Sequence, residues 1–251
     1  MLNNGNDKFF SILAHDLRSP FNSLLGYSDI LLEKFSELDR DEIYEFIGYI
    51  NRTAKSVFEL LENLLYWSGV QNGRIEYHPQ SLNLEIVIDS IINLFNGSTE
   101  LKRIDIVKNI DNNLVIYCDQ NMLFCILRNL VSNAIKYTHT GGRIAVTAKS
   151  QNGFAEIKVE DNGIGIIKED QTKIFTPDIR HTTTGTNNET GTGIGLILCK
   201  EFVEKCGGKI WIESTTGKGT TFTFTIPIIP SNKYNPNREN SSRIADSLHD
   251  L

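Results

Sequence analysis

Apolar residues recur every three or four positions through most of the first 68 residues. This spacing places them on one face of a helix and predicts two long helices within residues 7–68. We expect the turn at the polar residues 36–41, where Asp39 and Glu42 have the spacing of a capping box. The apolar positions are Phe10, Leu13, Leu17, Pro20, Leu24, Tyr27 and Leu31, then Ile43, Ile47, Ile50, Ala54, Val57, Leu61 and Leu64.

Two helices joined by so short a turn form an antiparallel hairpin. A lone hairpin cannot cover both of its apolar faces. We therefore expect two copies of the chain to associate as a homodimer with a four-helix bundle. The alternative is a monomeric hairpin that packs against the rest of the chain.

The remainder of the chain has a different pattern. Glycine and proline in residues 69–80 indicate a linker, and residues 81–229 favour an α+β fold, an α/β sandwich with helices on one face of a mixed sheet. The polar residues 230–251 are predicted to be a disordered tail. The expected strands are 81–84, 104–109, 114–118, 143–150, 154–160, 209–214 and 220–228, and the expected helices are 85–96, 119–137 and 193–206.

Composition excludes several classes of protein. The 251 residues are 40% hydrophobic and 22% charged, as in ordinary globular proteins, and the formal net charge of −6 argues against nucleic acid as a partner. No apolar run approaches the roughly 20 residues of a membrane span, so we expect no membrane contact within this chain. The four cysteines form no CxxC pair, and we expect all of them to be reduced.

One histidine on the first helix has an unusual setting. His15 lies two positions from Leu13 and from Leu17, a rotation of about 200°, so it is expected to face solvent. The Asp16 carboxylate could accept a proton from the imidazole and keep the other ring nitrogen nucleophilic. Pro20 should kink the helix nearby. On its own, a neighbouring His and Asp are more often an ordinary surface pair.

The predicted helix 119–137 carries two stripes. Leu127, Leu130, Val131, Ala134 and Thr138 form the stripe expected to be buried, and Asn129, Asn133, Lys136 and Tyr137 form a polar one. Amide oxygens can ligate Mg²⁺, and an ammonium can meet phosphate. Without further motifs, a solvated helix face would explain the polar stripe equally well.

Two glycine motifs follow. Asp161, Gly163 and Gly165 end a predicted strand, where a carboxylate could accept the exocyclic amine of adenine. Residues 191–196 precede a predicted helix and could cradle phosphate with their N–H groups. Each motif alone is weak, since the first could be an ordinary turn and the second matches neither of the common phosphate-binding loops.

Taken in order, these motifs resemble the catalytic core of bacterial sensor histidine kinases over about residues 7–229. The series is His-Asp-x-x-Ser-Pro, Asn-x-x-x-Asn-Ala-x-Lys-Tyr, Asp-x-Gly-x-Gly, Gly-x-Gly-x-Gly-Leu and Gly-x-Gly-Thr-x-Phe. The resemblance implies a dimerisation and histidine-phosphotransfer hairpin at 7–68, followed by an ATP-binding domain of the gyrase/Hsp90/MutL type at 81–229.

The resemblance also implies residue roles. His15 would be the phosphoacceptor and Asp16 its acid–base partner; Asn133 and Asn129 would ligate Mg²⁺, and Asp161 would anchor adenine. The full set implied in ATP binding is Asn129, Asn133, Lys136, Tyr137, Asp161, Gly163, Gly165, Ile166, Arg180, Gly191, Thr192, Gly193, Ile194, Gly195, Leu196 and Thr221.

The implied function is ATP-dependent autophosphorylation on a histidine, followed by transfer to an aspartate of a response-regulator receiver domain. ATP and Mg²⁺ are the implied cofactors, and the expected location is the cytoplasm, where the chain could belong to a larger membrane-anchored sensor. One alternative is an ATP-hydrolysing clamp, which would carry a glutamate where this chain has Asn129. Another is a scaffold without turnover, against which the intact motifs argue.

Residues 176–190 are rich in Thr and Asn and nearly free of apolar side chains. Such a segment buries too little surface to offset the entropy of ordering it. We predict that it is mobile without nucleotide and closes over the phosphates when ATP binds, with Arg180 reaching them. The alternative is a solvated loop that never touches the ligand.

Overall fold

A computed structural model describes residues 4–71, 77–176, 185–187 and 195–228, and it describes only the backbone of residues 4–16, 19, 56, 59, 60, 62–64, 66, 67, 70 and 71. The chain falls into two compact units, which are described separately. One contains the first two helices together with residues 173–176 and 195–198, and the other contains the sheets. Among the described residues, no helix is both long and apolar enough to cross a membrane.

The first unit contains the predicted pair of long helices. Helix α1 spans Asn4–Lys34, with Pro20 inside it, and α2 spans Arg40–Gln71. The predicted capping box is confirmed, because the Asp39 N–H donates to Glu42 Oε2 at 2.9 Å and the Glu42 N–H donates to Asp39 Oδ1 at 2.8 Å. These reciprocal bonds satisfy two donors at the start of α2 and end the turn there.

The two helices pack along each other over part of the predicted seam. Tyr27 of α1 stacks on Tyr49 of α2 with ring centroids 5.1 Å apart, and Val57 is 5% exposed. Ile47 and Leu61 were expected in the same seam, but they are 49% and 36% exposed. They lie instead on a second apolar face of α2, which α1 does not cover.

The second unit alternates short strands and helices. The elements that follow the hairpin are β1 (Gln80–Asn83), α3 (Leu84–Leu94), α4 (Asn96–Lys102), β2 (Asp105–Ile110), β3 (Val115–Cys118), α5 (Gln120–Tyr137), β4 (Arg143–Gln151), β5 (Phe154–Asp161), α6 (Lys168–Gln171), α7 (Gly195–Lys205), β6 (Ile210–Thr215) and β7 (Gly219–Pro227). Residues 195–198 of α7 are grouped with the first unit. The short helices α4 and α6 were not predicted. In α4, Gly97 and Ser98 favour turns over helix, so the local sequence does not predict this helix.

Five strands form the main sheet in the order β2-β4-β5-β7-β6. Strand β2 runs parallel to β4, and the other neighbours are antiparallel, so the predicted mixed sheet is confirmed. Strands β1 and β3 pair as a small antiparallel sheet, and a bridge between Ile116 and Ile228 continues it.

The core lies between one face of the main sheet and the helices. Alternate residues of β4, β5 and β7 are buried, among them Val146, Ile157 and Phe224. Helix α5 contributes Leu127 and Leu130, which are both fully buried. The unit is therefore the α/β sandwich that the sequence predicted.

The expectation that all four cysteines are reduced is wrong for one pair. Cys118, at the end of β3, and Cys206, after α7, form a disulfide with their Cα atoms 5.6 Å apart. They are 88 residues apart in sequence, so only the fold brings them together. Cys125 and Cys199 are buried and form no disulfide, and burial raises the pKa of the Cys125 thiol to about 11.

Two predicted boundaries stay predictions. Helix α2 continues to Gln71, three residues into the predicted linker 69–80, and residues 77–79 have no regular structure. The predicted tail at 230–251 lies outside the described residues.

Candidate active site

Helix α5 presents a buried face and a polar face, as its sequence predicts. Asp119 caps its first turn, because Oδ1 accepts from the N–H groups of Asn121 at 2.9 Å and Met122 at 3.2 Å. The apolar stripe is buried at Leu127, Leu130, Val131, Ala134 and Thr138. The polar stripe of Asn129, Asn133, Lys136 and Tyr137 is half-buried throughout. A face of this kind lines a cleft rather than standing free in solvent.

The two asparagines of the stripe have different surroundings. Asn129 Nδ2 donates to the Cys125 carbonyl one turn earlier, at 3.0 Å. The Asn133 side chain makes no hydrogen bond with another described residue. Its amide oxygen is therefore free to bind a ligand, and oxygen is the ligand atom that Mg²⁺ prefers. At the end of the helix, Lys136 Nζ lies 4.6 Å from the centre of the Tyr137 ring.

A buried carboxylate lies at the end of β5. Asp161 is 7% exposed, and its Oδ1 accepts from the Gly163 N–H at 2.9 Å. Burial raises the pKa of Asp161 to about 6, although hydrogen bonds from the backbone of Gly163 and Thr220 lower it. Above that pH the side chain is a buried anion, which can accept hydrogen bonds from an amine.

The two glycines after Asp161 let the turn pack closely against its own unit. A Cβ at Gly163 would collide with the Tyr137 carbonyl, and one at Gly165 would collide with the Thr215 carbonyl. Gly165 also has a φ of +68°, which side chains rarely adopt. From the sequence, these glycines were expected to let a ligand approach the backbone. In the structure, the chain's own backbone fills that space. They fix Asp161 relative to the end of α5.

Threonines on β7 complete the surroundings of Asp161. Thr220 lies opposite Asp161 in the sheet, and its Oγ1 is 2.9 Å from Ser214 Oγ, which accepts from the Ile166 N–H at 2.8 Å. Thr221, which the sequence interpretation chose, lies opposite Glu160, and strand alternation turns it to the other face of the sheet. The structure therefore brings Thr220, not Thr221, to Asp161.

Sequence reasoning missed Ser214 and Thr220 as site residues. The signal for Thr220 was available, since Phe222 and Phe224 mark the buried face of β7 and Thr220 shares their alternation. No comparable signal marks Ser214, whose role depends on the pairing of β6 with β7.

Several predicted site residues cannot be placed beside these. Arg180, Gly191, Thr192, Gly193 and Ile194 lie outside the described residues, while Gly195 and Leu196 begin α7. The backbone of His15 and Asp16 is helical, in α1, and their side chains are outside the described set. Their roles stay predictions.

The residues present fit an adenine nucleotide with Mg²⁺. Asp161 offers a buried acceptor for an amine, and Asn133 offers an amide oxygen that no described residue occupies. Thr138 Oγ1, fully buried at the end of α5, also lacks a hydrogen-bond partner among the described residues. Buried polar atoms without partners are rare in folded proteins and are typical of ligand sites.

Comparisons with known proteins agree with this site. The family model described as "Histidine kinase-, DNA gyrase B-, and HSP90-like ATPase" matches residues 118–230, and "His Kinase A (phospho-acceptor) domain" matches residues 6–73. The solved catalytic domain of the histidine kinase ThkA is 34% identical, with a TM-score of 0.53, and the match covers 61% of this chain and 96% of that domain. This chain belongs to the histidine kinase family.

Longer relatives place this histidine kinase core within larger proteins. It is 30% identical to the sensor histidine kinase WalK of Bacillus subtilis over 223 residues, which are 88% of this chain and 36% of WalK. It is 31% identical to cyanobacterial phytochrome B of a Nostoc species, over 88% of this chain and 29% of that protein. The chain thus spans about a third of these relatives.

A further solved structure contains ThkA in complex with the response regulator protein TrrA. The kinase is 27% identical to this chain with a TM-score of 0.65, and the match covers 90% of this chain and 62% of ThkA. The resemblance to a histidine kinase catalytic core is therefore confirmed.

Proposed function

We propose that this chain phosphorylates itself on His15 with ATP and then passes the phosphoryl group to an aspartate of a response-regulator receiver domain. One observation carries the proposal. A phospho-acceptor match that contains His15 precedes an ATPase match that contains Asn133 and Asp161. An acceptor and a nucleotide site on one chain are what autophosphorylation requires.

In this proposal, residues of the second unit bind the adenine and the Mg²⁺ of the nucleotide. The Asp161 carboxylate accepts a hydrogen bond from the exocyclic amine of adenine, and the amide oxygens of Asn133 and Asn129 ligate Mg²⁺. A bound Mg²⁺ supplies charge neutralisation at the phosphates, which is the main electrostatic requirement of phosphoryl transfer. Lys136 lies one turn beyond Asn133, where its ammonium can contact the same phosphates.

The transfer itself exchanges one bond for another. A ring nitrogen of His15 attacks the γ-phosphorus while the bond from that phosphorus to the bridging oxygen breaks, and ADP leaves. Asp16 accepts the proton from the other ring nitrogen, which keeps the attacking nitrogen nucleophilic. In the second step the aspartate carboxylate of the receiver attacks the phosphoramidate, and His15 is regenerated.

A homodimer is supported by the uncovered faces of the hairpin. Large apolar side chains are exposed at heptad-like spacing on both helices. They are Phe21, Leu25 and Leu32 on α1, Phe35 just after it, and Tyr44, Ile47, Phe58, Leu61 and Leu65 on α2. A second hairpin with the same stripes would cover them in a four-helix bundle.

Two further parts of the proposal concern partner and place. The receiver domain is the proposed partner because the related kinase ThkA is solved in complex with a response regulator protein. We assign the reaction to the cytoplasm, where ATP is available.

One labelling experiment tests the proposal. The chain is incubated with ATP labelled on the γ-phosphate and with Mg²⁺, and the labelled protein is treated with acid or base. A phosphohistidine loses its label in acid and keeps it in base. Steady release of phosphate without any protein label would contradict the proposal and would favour an ATP-hydrolysing clamp.

A further inference from the structure

A lysine far from the motifs lies buried against the end of α5. Lys102, the last residue of α4, is 4% exposed. Its Nζ donates to the carbonyls of Ile135 at 2.9 Å and Lys136 at 3.1 Å, and to Thr186 Oγ1 at 2.8 Å. An ammonium has three N–H donors, and these three acceptors satisfy all of them.

The last carbonyls of a helix lack partners within the helix and carry partial negative charge. The Lys102 ammonium supplies both the hydrogen bonds and the positive charge that the end of α5 lacks. A buried charge without such partners would be strongly destabilising. Lys102 thus fixes the last turn of α5, which contains Lys136 and Tyr137.

Thr186 extends this arrangement to a distant segment. Its N–H donates to the Lys136 carbonyl at 3.0 Å, and its hydroxyl can donate to the Thr138 carbonyl at 2.8 Å while it accepts from Lys102. These hydrogen bonds connect residues 185–187 to the end of α5. These residues lie within the segment 176–190 that the sequence predicts to be mobile without nucleotide.

We propose that Lys102 and Thr186 are positioning residues for the nucleotide, which act by holding residues 185–187 and the last turn of α5 in place before ATP binds. Neither side chain touches the reacting atoms. The inference rests on the proposed function, because Lys136 and Tyr137 matter here as nucleotide contacts. If these hydrogen bonds are removed, residues 185–187 and the last turn of α5 must be ordered when the nucleotide binds. That ordering costs conformational entropy, so the affinity for nucleotide falls.

We expect variants that lack these hydrogen bonds to lose affinity for nucleotide while the rate of the chemical step stays nearly unchanged. Thr186→Val keeps the shape and removes the hydroxyl, and we expect it to raise KM for ATP and Kd for ADP about tenfold while kcat changes less than about twofold. Thr186→Ser restores a hydroxyl and should return both constants to near wild-type values. Lys102→Met should weaken binding at least as much, and Lys102→Arg should weaken it less.

A matched control separates positioning from general stability. Thr99 is a threonine of α4 that is 8% exposed, and its hydroxyl donates to the carbonyls of Phe95 and Asn96, not to α5. Thr99→Val should lower the melting temperature about as much as Thr186→Val and leave KM unchanged.

Three results would overturn the inference. They are unchanged KM and Kd in Thr186→Val, an equal rise in KM in Thr99→Val, or no rescue by Thr186→Ser. If Lys102→Met does not fold, the Thr186 variants decide alone. A wild-type chain that binds no ADP would instead refute the proposed function, so the two failures are distinguishable.

Discussion

The hairpin and the sandwich bury their apolar residues to very different extents. Among the side chains that the structure describes, Val57 is the one apolar residue of α1 and α2 that is fully buried, while Leu32 is 79% exposed. In the sandwich, residues such as Leu127, Ile157 and Phe224 are completely buried. The described side chains of the sandwich form a core of their own, whereas those of the hairpin leave large apolar faces exposed.

This difference suits the two proposed tasks. Recognition of a nucleotide requires acceptors such as Asp161 to be held at fixed positions, and a packed core provides that rigidity. A phosphoacceptor must instead be reached by a nucleotide and later by a receiver domain, so it belongs on an accessible helix. The unit that holds ATP is thus rigid and self-contained, and the unit that carries His15 is open to partners.

The largest effect should come from removing the acceptor. His15→Gln removes the nucleophilic nitrogen, so autophosphorylation should vanish, while Kd for ATP should stay within about twofold because Asn133 and Asp161 lie on the other unit. Labelling with γ-labelled ATP and a nucleotide titration measure the two quantities. Acid-labile label that persists in the variant would refute the assignment of His15.

The disulfide should stabilise the sandwich and not the hairpin. It closes a segment of 88 residues between Cys118 and Cys206, so Cys206→Ser should lower the free energy of unfolding of the sandwich by about 4 kcal/mol. Chemical denaturation is followed by fluorescence in a Trp67→Phe background, where Trp211 of β6 is the one remaining tryptophan and reports on this unit. Reductant should reproduce the loss in the wild type and have no further effect on the variant.

Cys125→Ser is the control for the disulfide prediction. Cys125 is buried and forms no disulfide, so the Cys125→Ser variant keeps the Cys118–Cys206 bond and should lose as much stability to reductant as the wild type does. Wild-type stability that does not respond to reductant, with the thiols shown to be free by alkylation, would contradict the pairing of Cys118 with Cys206.

The two asparagines of α5 should differ in importance. Asn133→Ala removes an amide that has no other hydrogen bond among the described residues, and we expect autophosphorylation to fall at least about a hundredfold. Asn129→Ala also breaks the bond to Cys125 but should cost less activity. Mg²⁺-dependent binding of ATP, compared with ADP binding in chelator, shows whether metal ligation is lost. Wild-type labelling by Asn133→Ala would exclude it as a ligand.

An exposed leucine should contribute to dimerisation only if it lies on the hairpin. Leu32 on the hairpin and Leu101 on the sandwich are 79% and 82% exposed. If the hairpin stripes form the dimer, Leu32→Glu should weaken self-association at least about tenfold, since each copy loses a buried leucine, and Leu101→Glu should not. Analytical ultracentrifugation over a concentration series measures both. Equal dimerisation of the two variants would place the interface elsewhere.

The sequence predicts the hairpin and the mixed sheet well because both depend on local periodicity. The Asp39–Glu42 capping box and the buried stripe of α5 follow from spacings of three and four residues. The contacts that it misses are long-range. The hydrogen bond between Lys102 and Thr186 spans 84 residues of sequence, and the disulfide between Cys118 and Cys206 spans 88. No local sequence pattern predicts either contact.

The pair Thr220 and Thr221 shows a different limit. The motif contains both threonines, and strand pairing places Thr220, rather than the predicted Thr221, opposite Asp161. A nucleotide contact of Thr221 stays a prediction. The family motifs themselves named Asp161 and Asn133 before any geometry was available.

The smallest predicted effect concerns pH and the rigid unit alone. The pKa of Asp161 is about 6, mainly because burial disfavours the charged form. The ionised carboxylate accepts a hydrogen bond from the adenine amine far more strongly than the neutral acid does, so affinity should fall as pH falls through that value. From the ionised fraction at each pH, binding of ADP without Mg²⁺ should be about fourfold weaker at pH 5.5 than at pH 7.5. Asp161→Asn cannot ionise, so it should bind weakly and equally at both values. A wild-type affinity that is flat across this range would show that adenine is not held by the Asp161 anion.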